Sequence, residues 1–566
     1  MLSILLWISA FAYNPFFNSS FGTIKVICLF LGAAGILLAT RTAPVTIGHG
    51  WRKHVVWLFA LVILASLFRT GNIFETISGS LVFIGALVIG SGTAFAVRND
   101  NQAKIQLMKT IVMIGVFQAM LGISQYYWIE FGPRVVLMND KMKVVGTLGN
   151  PEFLAFFLGG SLLLAWHLPL LFKNARVRYV AIGILTIGLL FTASRVMWFA
   201  LAFPLGLNIY STKSLGRKQK LLIAVPVMMM FTGSCYFFHP NPHTFYGRLL
   251  IWAVSVNMIA ASHGLGVGIG QYHFHFIESL QAVFAFINEH YPDLGFLEKN
   301  AAYADRAHSE LLDFSAEGGI LFSALGIFML VKLFRSAKAS PLSGFYKSFL
   351  TFSALGSLIS FPLHIVPNLI VCVVLCACIL SETNGTPVED AETGRAAYGP
   401  KLLFASLFIG VGFQSAWVDF FLCKSEKEAR FGNGSGAESS ATIGLRLNPG
   451  DERLLIQKAR LEYLDFRSRE ALRTLEAISD KPRTVDHYKL KGLALMSLKD
   501  FPAAEINYHE LENAFPQMIT PKYYLGRIAL ASGDKEKARG YFNRIQKLNA
   551  RNEKAEFDKA FSKSLL

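Results

Sequence analysis

The chain has 566 residues, 53% of them hydrophobic and 16% charged, with a formal net charge of +16. Ordinary soluble domains carry about 25% charged residues, so a wholly soluble globular protein is excluded. The apolar excess lies in the first three quarters, in runs of roughly 15–25 residues that suit a bilayer core about 30 Å thick. In such a chain surplus Lys and Arg belong in cytoplasmic loops, and the charge is not read as a nucleic-acid footprint.

Residues 1–12 lack a basic n-region and a small-residue cleavage site, so the start is read as a first span or a half-inserted helix rather than a cleaved signal. Hydropathy predicts spans near 2–18, 24–40, 54–68, 77–97, 106–128, 151–172, 178–194, 196–210, 220–238, 311–334, 346–364, 365–382 and 401–420. The expected architecture is all-α, a polytopic helical bundle of about 12–13 spans. Arg52-Lys53, Arg98/Lys104, Lys173/Arg176/Arg178, Lys213/Arg217/Lys218/Lys220 and Arg335/Lys338 fall in alternate connections, which are therefore assigned to the cytoplasm. That phase puts the long connection 239–310, and the tail, on the other side. Five of the six cysteines lie in apolar runs, and neither a structural disulfide nor a metal knot is expected.

After about residue 422 charged residues become frequent and helical periodicity replaces continuous apolarity. Small residues recur at Ala459, Gly492 and Gly526, and again at Ala471, Ala504 and Ala538, in steps of 33 and 34 residues. That is the tetratricopeptide period. Leu447-Asn448-Pro449 reads as the end of an earlier, degenerate copy. The chain thus divides into a membrane domain, 1–422, and a repeat domain, 423–566, of three to four helix pairs. Such α-solenoids commonly bind a peptide or protein partner; capping the membrane domain is the plainer alternative.

Four polar pieces stand on the outer side. Gly146-Thr147-Leu148-Gly149-Asn150-Pro151 enters a span, and Asn150 with Pro151 also suits a plain capped helix start. Thr192-Ala193-Ser194-Arg195 sits between two close spans, where a charge is costly and a functional candidate. Arg248 heads an amphipathic segment containing Trp252 that could equally anchor at the membrane surface. Arg306-Ala307-His308 precedes a span. His243, His263, His273, His275 and His290 compete with His308, and none is spaced for zinc. His273-Phe274-His275 alternates, so its two imidazoles would diverge on a strand. The ladder Gly264-Leu265-Gly266-Val267-Gly268-Ile269-Gly270-Gln271-Tyr272 is not a dinucleotide fingerprint, because no βαβ setting surrounds it.

Taken in order, Gly146–Pro151, Ser194-Arg195, Arg248 with Trp252, Gly264–Tyr272 and His308 through Gly319 resemble the O-antigen ligase and polymerase superfamily. It comprises lipopolysaccharide O-antigen ligases, O-antigen polymerases and bacterial O-oligosaccharyltransferases. The resemblance covers roughly residues 140–380. It implies a GT-C-like membrane fold with a periplasmic loop, located in the bacterial inner membrane. It also implies transfer of a glycan from undecaprenyl diphosphate to an acceptor hydroxyl, without metal or other cofactor. By that resemblance Arg195 and Arg248 are functional and His308 is the base; on charge alone Arg306 is a weaker third diphosphate ligand. Asn150, Tyr272 and Glu310 are supporting candidates, and Glu289, Glu298 and Asp305 are rival bases. The chain departs from the family at Ser309, where Asn is common. The acceptor is lipid A-core, a growing glycan or a protein; the shared motifs do not choose. Chemistry fits the roles: a departing diphosphate needs positive charge, which arginine supplies as a planar fork, and the attacking hydroxyl needs a base titrating near neutrality. A lipid-linked-glycan transporter and a membrane scaffold for the repeats are the competing classes. Transporters tend to place polar groups at the bilayer midplane, whereas here they cluster on one side.

Overall fold

A computed structural model describes residues 1–14, 16, 19, 22–39, 51–98, 100–127, 144–211, 216, 242–383, 398–478, 484–548, 559–560 and 562–563. The expected span 220–238, most of the connection 129–150 and the basic cluster 213–220 fall almost wholly outside them. The described residues are all-helical, without a strand. They form two compact units: one of 1–68, 77–239 and 308–416, the other of 69–76, 240–307 and 417–566.

The first unit holds α1 (Leu2–Phe11), α2 (Gly22–Ala39), α3 (Trp51–Leu67), most of α4 (Ile73–Val97), α5 (Asn101–Tyr126), α6 (Pro151–His167), α7 (Ala175–Phe191) and α8 (Arg195–Ser211). Helices α2, α4 and α5 are long and apolar enough to cross a membrane. The centre is α6. It carries no charge between Glu152 and His167, and every residue from Phe153 to Ala165 is buried. A helix that is apolar all round belongs in the interior, and α6 packs on α5, α7 and α8. Small residues set the close crossings. A Cβ on Gly188 of α7 would stand 2.6 Å from that of Ala119, and one on Gly115 would stand 2.4 Å from the Ser161 hydroxyl.

Numbering continues with α9 (Pro242–Ala261) and α10 (Tyr272–His290) of the second unit. The first unit then resumes with α11 (Glu310–Gly318), α12 (Ile320–Lys338), α13 (Ser343–Ile359) and α14 (Val366–Thr383). Helix α15 (Tyr398–Arg430) starts in the first unit and ends in the second. Helices α12 and α15 complete the five that are long and apolar enough to span. The single span expected over 311–334 is instead two helices. Gly319 has φ 84°, a left-handed conformation that interrupts the hydrogen-bond ladder between α11 and α12.

In the second unit, 240–307 is not a structureless loop. Ile277, Leu280, Phe284 and Ile287 recur at helical spacing and are buried along α10. The same helix corrects the strand entertained for His273-Phe274-His275, which forms its first turn. Glycines 264, 266, 268 and 270 all have positive φ, so the two-residue period encodes an alternating backbone that only glycine adopts without strain. This connection is clamped to residues 69–76. Arg69 donates to the Gly266 carbonyl at 3.0 Å, Thr76 to the Ile269 carbonyl at 3.0 Å, and Gln271 to the Asn72 carbonyl at 3.2 Å.

The tail is a stack of helix hairpins: the end of α15 with α16 (Gly434–Leu447), α17 (Glu452–Leu464) with α18 (Ser468–Glu476), α19 (Val485–Ser497) with α20 (Phe501–Ala514), and α21 (Ile519–Ala531) with α22 (Lys535–Gln546). One turn is built four times. Gly432, Phe466, Lys499 and Gly533 all have positive φ. The next amide closes back onto the fifth residue before it: Asn433 to Glu428 at 2.9 Å, Arg467 to Glu462 at 2.8 Å, Asp500 to Leu495 at 3.0 Å and Asp534 to Ala529 at 2.9 Å. Volumes are matched within each hairpin. A Cβ on Gly492 would stand 2.3 Å from the Tyr508 ring, and one on Gly526 would stand 2.4 Å from Phe542. The equivalent pair one repeat earlier is Ala459 with Leu475, both fully buried. The hairpins also engage 69–76 and α10: Asn72 donates to the Gly450 carbonyl at 2.7 Å and Gln281 to the Glu510 carbonyl at 3.1 Å.

Candidate functional site

The polar motif before α6 is held by α5. Gln125 accepts from the amides of Val145 and Gly146 at 3.0 and 2.8 Å and donates to the Gly146 carbonyl at 2.9 Å. Gln118, one heptad earlier on the same face, accepts from the Thr147 amide at 3.1 Å and donates to its hydroxyl at 2.6 Å. Lys25 of α2 donates to the Thr147 carbonyl. The motif is thereby fixed to two helices, and Asn150 caps α6 by accepting from the Glu152 amide at 2.8 Å.

From there a chain of contacts leads to His308. Ser360 donates to the Glu152 carboxylate at 2.8 Å and accepts, through its carbonyl, the Glu310 amide at 3.2 Å. Phe153 of α6 packs edge-on against Phe361, and Phe361 packs edge-on against the His308 imidazole, with ring centroids 5.2 and 5.0 Å apart. Phe361 belongs to a short turn between α13 and α14. That turn is stitched to α11: Glu310 accepts from the Leu363 amide at 2.6 Å, and the His364 ring bridges Glu310 at 2.8 Å and Asp313 at 3.0 Å.

His308 is half-buried and has φ 51°. For a residue with a Cβ this conformation costs about 1–3 kcal/mol, and such residues gather at functional sites. Among the described residues of the first unit, the only other non-glycine residue in this region of backbone space is Ala193, two residues before Arg195. Arg195 opens α8 half-buried; Thr192 holds the preceding turn by accepting the Ser194 amide at 3.3 Å.

The first unit thus contains Asn150, Arg195, His308 and Glu310, and direct contacts join the α6 start, Glu310 and His308 through Ser360 and Phe361. Arg248, Tyr272 and Arg306 belong to the second unit. There Arg248 lies on α9. Tyr272 is fully buried, with its hydroxyl 2.8 Å from that of Ser255. Burial, then Asp305, pushes the Tyr303 phenol above its ordinary range. His273 lies 3.5 Å from Glu75.

Sequence reading placed Glu317 in the motif that ends at Gly319 but missed Asp313, His364, Glu152 and Phe361. The signal was present: Glu310, Asp313 and Glu317 fall at i, i+3 and i+7, one face of a helix inside an apolar run. Asp313, Glu317 and His364 present ligand atoms within 4.8 Å of one another and are the described group that could hold a cation. His364 already meets carboxylates through both nitrogens, however, and a ligating imidazole must free one of them. No protein-family model matches the chain, and no curated protein matches it either.

Proposed function

We propose that this protein is a membrane glycosyltransferase of the O-antigen ligase type. It moves a glycan from undecaprenyl diphosphate to an acceptor hydroxyl at the periplasmic face of the bacterial inner membrane. The supporting observation is His308: a half-buried imidazole, held in a costly backbone conformation, edge-on to Phe361 and close in chain to the Glu310–His364–Asp313 cluster.

In this reading the acceptor O–H gives its proton to His308 as its oxygen attacks the anomeric carbon. The bond from that carbon to the diphosphate oxygen breaks, and the electron pair leaves with the diphosphate. Arg195 and Arg248, with Arg306 as a third cation, stabilise the charge that builds there. Direct displacement inverts the anomeric centre, and no metal is required. About thirteen spans would hold the prenyl chain beside the site. The hairpin stack is a tetratricopeptide-type domain outside the cytoplasm, available to a protein partner. Polymerase and protein O-oligosaccharyltransferase activities are the same chemistry with a different acceptor.

The test is reconstitution of purified protein with a lipid-linked glycan and three acceptors offered separately: lipid A-core, glycan and protein. Glycosylation of one acceptor by wild type and not by His308→Ala supports the proposal and names its subclass. Binding of the donor without transfer to any acceptor contradicts it in favour of transport.

A further inference from the structure

A crevice of about 350 Å³ lies between α5 and α7 in the first unit, lined by none of the residues assigned to transfer. Its walls are almost wholly apolar: Met113 and Phe117 of α5 face Val180 and Ile184 of α7. The exceptions are two cations, Lys109 and Lys173. Lys109 precedes Phe117 by eight residues, so the apolar wall runs about 12 Å along the helix beyond that ammonium.

Neighbouring cations show what committed ones look like here. Lys104 is 2.7 Å from the Glu382 carboxylate. Arg178 donates to the carbonyls of Ala165, at 2.9 Å, and Trp166, closing the end of α6. Lys109 and Lys173 have no such carboxylate among the described residues, and neither 101–126 nor 168–191 contains an Asp or Glu. A lysine at a membrane edge often snorkels to water. Two of them at one end of an apolar crevice, with no acid on either wall, instead complement an anionic headgroup carrying an apolar chain.

We propose that this crevice binds an anionic phospholipid, one acyl chain lying between α5 and α7 and its phosphate against Lys109 and Lys173. The inference does not depend on the transferase reading.

The test is lipid retention by the full-length protein in detergent, measured by native mass spectrometry with phosphatidylglycerol and phosphatidylcholine of matched chains, and undecaprenyl phosphate as competitor. Wild type should prefer phosphatidylglycerol, and the Lys109→Gln/Lys173→Gln variant should lose that preference by on the order of tenfold. Lys109→Arg/Lys173→Arg keeps the charge and should retain it. Met113→Trp, which fills the crevice and leaves both lysines, should reduce retention of both phospholipids. An unchanged preference in the Gln variant, equal retention of the two phospholipids by wild type, or displacement by undecaprenyl phosphate at equal concentration overturns the proposal.

Discussion

Two buried charged groups in the first unit make an instructive contrast. At one, Lys104 of α5 meets Glu382 of α14, and the Ser340 and Tyr346 hydroxyls also donate to that carboxylate. One cation and one anion are balanced, and the group ties helices together. At the other, Glu310, Asp313 and Glu317 gather on one face of a nine-residue helix around His364, beside strained His308. Burial is similar, but the second cluster is acid-rich and is built where a helix has been broken at Gly319. Under the proposed function, the first group serves stability and the second serves transfer.

The largest expected effect is at His308. Replacement by Ala should lower turnover by about 10²–10⁴-fold, the range of a lost general base, while the protein keeps its helicity and donor affinity. Activity near wild type would place the base elsewhere and remove the contrast. Next is Lys104→Ala, which leaves Glu382 buried without its cation. It should cost about 3–5 kcal/mol of stability, read by thermal or denaturant unfolding in detergent, with turnover per folded molecule unchanged. His364→Gln sharpens the same line from the other side. Losing one charge-assisted contact, worth about 1.5–3 kcal/mol, should reduce turnover by tenfold or more, with a smaller loss of stability than Lys104→Ala causes. The reverse order of stability losses would make both clusters structural. Smallest is Arg248→Lys, expected to lower kcat about tenfold through loss of one bond of the guanidinium fork; equal rates would show that a point charge suffices.

Much of the fold was legible in the sequence, and unevenly so. The helix hairpins of the tail were, because a hairpin must place a small residue wherever two helices touch, and Ala459, Gly492 and Gly526 keep that position. The hairpin ahead of them was legible only at its end, Leu447-Asn448-Pro449, because its first helix continues an apolar one. The helices within 240–307 were obscured by polar neighbours, although their apolar residues kept helical spacing. The break at Gly319 was lost inside a continuous apolar run. His308 and Glu310 were readable as a local motif. His364 was not, since its partners lie more than fifty residues earlier and only folding brings them together.

The most direct measurement is a single-turnover assay of undecaprenyl diphosphate release from bound donor, with and without acceptor, in wild type and His308→Ala. The account predicts acceptor-dependent release by wild type, and a variant that binds donor equally well but releases none on that timescale. Release by the variant at the wild-type rate, or release by wild type that does not depend on acceptor, would contradict it.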